Sequence, residues 1–456
     1  MYKLSLPSMK ATLLEDTRAS RENSAKSRPH IVVIGGGFAG LEFAKGLKHE
    51  DVDVTIIDKH NYHTFQPLLY QVATGGLEPD SIAYPLRKVF RKATNVFVRW
   101  AMVKHIDTEK QILKTSLIDI HYDHLVIATG STSRFFNFED IQDKMLTLKT
   151  VPDALNLRSY ILQNFEKATA EANPEYFEEL INIAIVGGGA TGLELAGALG
   201  EMKQQILPLD YPEVDLSKMK IVLFQSGNAL LAGMSDLASE KSLQYIQELG
   251  VEVRLNDRVT EYDGDVLKTE GGFEMRTDTL IWTAGVKASF PEGLPDTSIN
   301  KGRISVDSFN KVIGVENVFA VGDVAEMASE ENPRGHPMLA SIAKQQGESL
   351  SKNIVSALAG KDMKPFVYND KGTMATIGRN RAVVDLPNYS FGGFFAWITW
   401  MLVHVALLVG FRNKIAALID WFLNYFTYDS PMRLIIRPFR QEGVGTNSSE
   451  REELKR

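Results

Sequence analysis

The chain contains the same short pattern twice. HIVVIGGGFAGLEFAKGL places an apolar run, Ile31–Ile34, ahead of Gly35, Gly36, Gly37, Phe38, Ala39 and Gly40, and then continues with helix-forming residues. INIAIVGGGATGLELAGAL does the same ahead of Gly187, Gly189, Ala190, Thr191 and Gly192. In such a strand–turn–helix unit the first glycine makes the tight bend and the second lets backbone approach a diphosphate. The third allows the helix to pack closely on the strand. A lone glycine turn is weak, because tight bends use glycine for backbone reasons alone. Here each copy is followed, at nearly equal spacing, by a second related strand. These are YDHLVIATGS, carrying Thr129 and Gly130, and TDTLIWTAGV, carrying Ala284 and Gly285. The repeat predicts an α/β chain with two Rossmann-like dinucleotide-binding domains. About twenty residues past the first turn, Asp58 ends another apolar strand, with Lys59 after it; a carboxylate there suits ribose hydroxyls.

The composition narrows the chemistry. With 456 residues, 44% hydrophobic and 23% charged, the chain has material for two or three domains. A net charge of -7 argues against nucleic acid as partner. There is no cysteine, which excludes disulfides, thiolate metal sites and every mechanism that needs a redox cysteine pair or a sulfide-accepting thiol. No His/Asp/Glu grouping in the sequence suggests a metal. Residues 1–28 mix both charge signs without the apolar stretch of a secretory signal, so they read as a disordered extension; residues 441–456 read as a similar tail.

NVFAVGDVA adds a third element. Its Gly322-Asp323 pair resembles the second flavin signature of two-dinucleotide-domain flavoproteins. The resemblance implies FAD on the first glycine turn and the nicotinamide nucleotide on the second. Since Gly322-Asp323 follows the second turn, the FAD domain is split by the inserted nicotinamide domain. The second copy's reading position is Gln225, at the end of KIVLFQ. A glutamine neither repels a 2′-phosphate as a carboxylate does nor attracts one as arginine does. The neighbouring Ser226, Gly227 and Asn228 add no positive charge, so NADH is favoured and NADPH tolerance stays open.

HNYHTFQPLLYQVATGGLEPDSIAYPLR, TLKTVPDALNLR, LPLDYPEVDLSKMKIVLF, GTMATIGRNRAVVDL and the apolar stretch ending in GFRNK resemble type II NADH:quinone oxidoreductases over about Pro29–Arg440. These are single-subunit, non-proton-pumping respiratory dehydrogenases. The resemblance implies transfer of a hydride from NADH to FAD and of two electrons to a membrane quinone (ubiquinone or menaquinone). It also implies a homodimer and a peripheral place on the cytoplasmic face of the inner (plasma) membrane. Gln71, Ala73, Thr74 and Thr129 would approach the isoalloxazine. Glu194, just past the third glycine of the second copy, would lie at the nicotinamide–flavin junction; the plainer expectation is a first-turn carboxylate favoured by the helix dipole. Glu42 holds the matching place in the first copy.

The family's A-Q-x-A-x-Q-x-G quinone motif reads here as Ala340 to Gly347, with Gln345 retained and Ser341 in place of the first glutamine. Positions 341 and 345 share a helix face. His63 and His404 are candidate proton relays, although structural roles suit single histidines better. A sensor that uses NADH to change shape, or a reductase of a small soluble carrier, are the alternatives to quinone reduction.

FFAWITWMLVHVALLVGFRNK carries no charge from Phe394 to Gly410. Gly392-Gly393 and Pro387 shorten its helix to about 394–410. KIAALIDWFLNYFTY follows, with Asp420 and Asn424 on one face. Two amphipathic helices lying in the bilayer surface fit this pattern, with Trp397, Trp400, Trp421, Tyr425 and Tyr428 at the interface. Arg412, Lys414, Arg433, Arg437 and Arg440 would face anionic headgroups. Expected boundaries are 29–150 and 287–390 for the split FAD domain, 151–286 for the NADH domain and 391–440 for the membrane anchor.

Overall fold

The computed structural model describes residues 28–330, 332–427 and 433–436. The expected extension at 1–27, the tail at 441–456, and Tyr428, Arg437 and Arg440 lie outside the described residues. The chain forms two compact units.

The first unit comprises residues up to 61, 90–130 and 290–366. Its centre is a five-stranded parallel sheet in the order Val318–Ala320, His124–Ile127, His30–Ile34, Asp53–Asp58, Val96–Trp100. His30–Ile34 is buried along its whole length, as a central parallel strand covered on both faces must be. That is why it reads as an apolar run rather than an alternating one. Helix Phe38–Gly46 follows the first glycine turn, and helix Ala340–Leu358 packs across it. Gly347 is required at that crossing, because a Cβ there would run into the carbonyl of Ala39. The strand from 318 to 320 hydrogen-bonds to the strand from 124 to 127, so the two halves of the first unit are one sheet despite the residues between them.

The second unit holds residues 62–89, 131–289 and 367 onward. Its parallel sheet runs Glu252–Leu255, Ile221–Gln225, Ile183–Val186, Thr279–Trp282. Helix Ala190–Gln205 follows the second glycine turn. An antiparallel sheet of Thr373–Thr376, Ala382–Leu386 and Tyr389–Gly392 precedes two helices, Phe394–Leu407 and Phe411–Thr427. This compact unit takes in 62–89, 131–150 and 367–390, stretches that the motif-based boundaries place in the split FAD domain. The first C-terminal helix stops at Leu407, three residues short of expectation. Gly410, at φ +90°, makes the turn, where any Cβ would collide with the ring of Tyr84.

Candidate functional site

The two glycine turns have the same internal contacts. A Cβ on Gly40 would strike the carbonyl oxygen of Gly35, and one on Gly192 would strike that of Gly187. Gly35 is closed in by Ala128, and Gly187 by Thr283 and Ala284, from the related strands downstream. Gly37 and Gly189, which immediately precede the helices, face open space. Each turn thus presents a helix N-terminus across a glycine with room beside it, the arrangement that receives a diphosphate.

Polar side chains at the strand ends hold both turns. Asp58 accepts from the backbone N–H groups of Gly36 and His60, each at 2.6 Å. Burial raises its pKa, while those two bonds and the nearby His60 and Lys59 oppose the rise. Gln225 accepts from Gly188 N–H at 3.1 Å and donates to Ala229 O at 3.2 Å. Both ends of its amide are therefore occupied by backbone. Lys59 gives its carbonyl to the indole N–H of Trp100. Glu42 forms an ion pair with Lys45 at 2.9 Å and approaches Lys344 at 3.9 Å.

The Gly322-Asp323 turn is gripped from two sides. Gln346, 1% exposed, accepts the Gly322 N–H at 2.7 Å. Arg303 donates through Nε to Asp323 O at 3.2 Å, through Nη1 to His336 O at 3.0 Å, and through Nη2 to Ala325 O. Neither Gln346 nor Arg303 is a specified position of a sequence motif; the quinone motif points to Gln345, next to the former. Ser341 and Gln345 lie half-buried on the same helix. The residues of the first unit fit FAD: Gly37 and Gly130 leave open space, and the Thr129 hydroxyl is buried without a hydrogen-bond partner, as a ligand-facing group would be. The turn at Gly187–Gly192, with open Gly189, fits a second dinucleotide.

Glu194 departs from its expected place. Its helix begins at Ala190, so it stands in the second turn, buried, and not at the dipole end. Its carboxyl accepts a long bond, 3.4 Å, from Thr376 N–H. Burial pushes its pKa up to about 8, with Thr376 and the nearby indole of Trp400 opposing part of the rise. It therefore carries a proton at neutral pH. Glu201, about two turns further on, is also raised by burial and accepts from Arg379 N–H. Tyr70 is pushed far above its usual range by burial and by these two carboxyls.

These groups surround a cavity of about 160 Å³ in the second unit, walled chiefly by Tyr70, Gln71, Glu201, Arg379, Trp400 and Trp421. Gln71 donates to Tyr70 Oη at 2.7 Å and accepts from Trp421 Nε1 at 2.6 Å. Thr74 also lines the cavity, while Ala73 is buried in the short helix beside it. Trp400, 2% exposed, lies 5.6 Å from Trp421, and Trp397 lies 5.6 Å from Tyr425. Of the aromatics expected at the interface, Trp400 is buried, which corrects that expectation for it, and Trp397, Trp421 and Tyr425 are half-buried. All four line the cavity, where their tilted rings pack together and the Trp421 N–H finds the half-buried Gln71 as acceptor. His404 stacks on Trp400 at 4.2 Å and bonds its carbonyl through Nδ1. Burial lowers its pKa to about 4, so it is neutral and structural near pH 7. His63 is buried in the same unit. Of the expected headgroup cations, Arg433 is paired with Asp210 at 2.6 Å and Arg412 with Asp80 at 3.7 Å; Lys414 donates to Ala406 O.

The model of the pyridine nucleotide-disulphide oxidoreductase family matches residues 29–347, and that of the NDH2 C-terminal domain matches 371–427. The chain is 36% identical over 416 residues to the type II NADH:quinone oxidoreductase Ndh of Mycobacterium tuberculosis, covering 88% of this chain and 89% of that protein. It is 30% identical over 373 residues to the type II NADH:quinone oxidoreductase of Staphylococcus aureus, covering 79% and 90%. Its fold matches the structure of NDH2 from Plasmodium falciparum in complex with NADH, with a TM-score of 0.83 and 20% identity over 90% of this chain and all of that one. Two glycine turns, a Gly-Asp turn after them in the chain, and relatives at 36% and 30% identity over most of their length agree: the chain belongs to the type II NADH:quinone oxidoreductase family.

Proposed function

We propose that this protein oxidises NADH and reduces a membrane quinone, with the quinone ring received in the cavity walled by Gln71, Glu201, Trp400 and Trp421. FAD, when bound, supplies the redox chemistry, accepting a hydride from NADH and delivering two electrons to quinone. The residues of the first glycine turn, with Asp58, Thr129 and Asp323, would hold it; those of the second would hold NADH. The net reaction, NADH + H⁺ + quinone → NAD⁺ + quinol, takes up one proton from outside the nicotinamide.

The observation that carries this reading is an aromatic-walled cavity with a buried carboxyl, Glu194, set behind Thr376 in its wall. Thr376 and Trp400 both line the cavity and both touch on Glu194 electrostatically. A group of pKa about 8 suits proton delivery at neutral pH, since it holds the proton yet gives it up at little cost. The Trp421–Gln71–Tyr70 chain orients polar hydrogens at the wall, and the aromatic faces exclude water from the quinone ring.

The two C-terminal helices support docking on lipid. Phe395, Phe411, Phe422 and Leu402 are 77%, 79%, 64% and 58% exposed, a far more apolar surface than scattered residues give. No described helix is long and apolar enough to cross a membrane. We therefore infer a protein that lies on the membrane, on the NADH-bearing cytoplasmic face, as a homodimer that shares this apolar surface between lipid and its own copy. Steady-state oxidation of NADH by the purified flavoprotein in liposomes, with ubiquinone and menaquinone analogues, tests the activity. Quinone-dependent turnover is expected. A flavin that NADH reduces and no quinone reoxidises would favour the soluble-carrier or sensor alternative.

A further inference from the structure

We propose that Arg134 supplies a positive charge to the diphosphate of NADH, held at the mouth of the nicotinamide crevice by a strained aromatic support, Phe136. The proposal rests on the assignment of NADH to the second dinucleotide unit and names a recognition residue that the glycine motifs do not include.

The sheet order places the crevice. Ile183–Val186 lies between Ile221–Gln225 and Thr279–Trp282, and the chain leaves it for one neighbour and returns later to the other. Ligands of open parallel sheets bind at the carboxyl ends of the strands where the strand order reverses in this way. The carboxyl end of Thr279–Trp282 leads through Thr283 and Ala284, whose backbone abuts Gly187 of the glycine turn, to Gly285.

Residues 134–138 are stapled onto that end. Arg134 N–H donates to Gly285 O at 3.2 Å, and its carbonyl accepts from Trp282 Nε1 at 2.8 Å. Phe135 and Phe138 pack on the Trp282 ring, with centroids at 6.1 and 5.2 Å. Phe136, between them, faces the other way. It is 46% exposed and sits at φ +55°, a conformation that a bulky side chain rarely adopts. Its ring covers Gly285, which has no room for a Cβ larger than contact distance, and the Arg134 guanidinium lies 4.7 Å from the ring centroid. An exposed cation thus lies against the ring that covers Gly285, a ring neither buried in the core nor relaxed in its backbone. Strain of this kind is retained where surrounding structure holds a side chain for use. An anion entering between the Gly189 helix end and the Gly285 turn meets that guanidinium, which can bind a diphosphate oxygen pair.

The test uses the purified flavoenzyme and three variants, Arg134→Ala, Arg134→Lys and Arg134→Glu, with two probes. The first is KM for NADH in quinone-coupled turnover; the second is calorimetric affinity for ADP-ribose, which carries the diphosphate and lacks the nicotinamide. In Arg134→Ala both should weaken in parallel by about tenfold, a factor equivalent to ~1.4 kcal/mol. Arg134→Glu should weaken both further and Arg134→Lys recover part. The wild-type affinity should fall with salt more steeply than that of Arg134→Ala. Unchanged affinities in Arg134→Ala would overturn the proposal, as would loss of NADH affinity with ADP-ribose binding intact, which would move the charge away from the diphosphate. Absence of NADH oxidation in the wild-type protein would instead overturn the reading on which it rests.

Discussion

Trp421 donates its indole N–H to the side-chain carbonyl of Gln71 at 2.6 Å, a bond between residues 350 positions apart. It is a direct polar tie between helix Phe411–Thr427 and the YQVATG segment, and it fixes the Gln71 amide so that its nitrogen faces Tyr70 Oη. Trp421→Phe keeps the aromatic bulk and removes the donor. The freed amide can rotate, so the cavity wall loses its set polarity. KM for quinone should rise about three- to tenfold, the effect of one lost buried hydrogen bond, while KM for NADH stays unchanged. Steady-state kinetics with each substrate varied in turn will separate the two.

Glu194 makes a prediction in pH. Its pKa in the folded protein is about 8 against an ordinary 4.5. Below the ordinary value both folded and unfolded chains hold the proton, and the group contributes nothing to the pH dependence. Between the two values the folded protein keeps a proton that the unfolded chain has lost, so stability falls as pH rises, and levels off above about 8. The loss for a fully buried carboxyl is on the order of a few kcal/mol. Glu194→Gln should therefore flatten the decline in Tm between pH 5 and 9 (roughly the span of the titration). Quinone turnover should drop by about tenfold or more as the general acid is removed, and the alkaline limb of its pH profile should disappear.

Much of the frame was legible because its signals are local. Gly35, Gly37 and Gly40, and their counterparts Gly187, Gly189 and Gly192, act through contacts within one turn, so their spacing alone carries the information. The cavity was not legible in that way. Tyr70, Glu201, Arg379 and Trp421 meet only in three dimensions, and no short window contains more than one of them. The tail shows the limit most clearly. Its aromatic residues suit a membrane interface by composition, yet Trp400 and Trp421 face a cavity, and the apolar surface left outward is made by Phe395, Phe411 and Phe422. Composition reports how much apolar surface a helix has; packing decides which part of it is free.

Arg303 should govern flavin retention. Its guanidinium serves three carbonyls, those of Asp323, Ala325 and His336, and so holds the Gly-Asp turn together with the loop that leads into helix Ala340–Leu358. Arg303→Met leaves those oxygens without their donors. Hydrogen bonds from a charged group contribute ~1.5–3 kcal/mol each and do not simply add, so a loss of about 2–4 kcal/mol is expected. The loss should appear first as flavin release. Flavin fluorescence during heating should rise well below the midpoint of global unfolding, whereas in the wild-type protein the two coincide. Arg303→Lys, with one donor group in place of three, should fall between.

Gly410 sets the angle of the C-terminal hairpin. It sits at φ +90°, and its missing Cβ points at the Tyr84 ring. Three residues on, Asn413 Nδ2 donates to Asp80 O at 2.8 Å and to Ala83 O at 3.1 Å, so the second helix starts from a fixed place beside that ring. Gly410→Ala demands both a left-handed backbone for alanine and space that Tyr84 occupies, a cost of about 1–3 kcal/mol. The strain can be relieved only by moving the hairpin, which would displace Trp421 and Tyr425 from the cavity wall. Reduction of the flavin by NADH should persist while quinone turnover and flotation with liposomes both fall. Removing the obstructing ring in Tyr84→Ala/Gly410→Ala should recover part of each loss, since the two residues are in contact and their effects are coupled. If flotation falls with turnover intact, the hairpin serves lipid docking alone; if turnover falls with flotation intact, its cavity face is what matters.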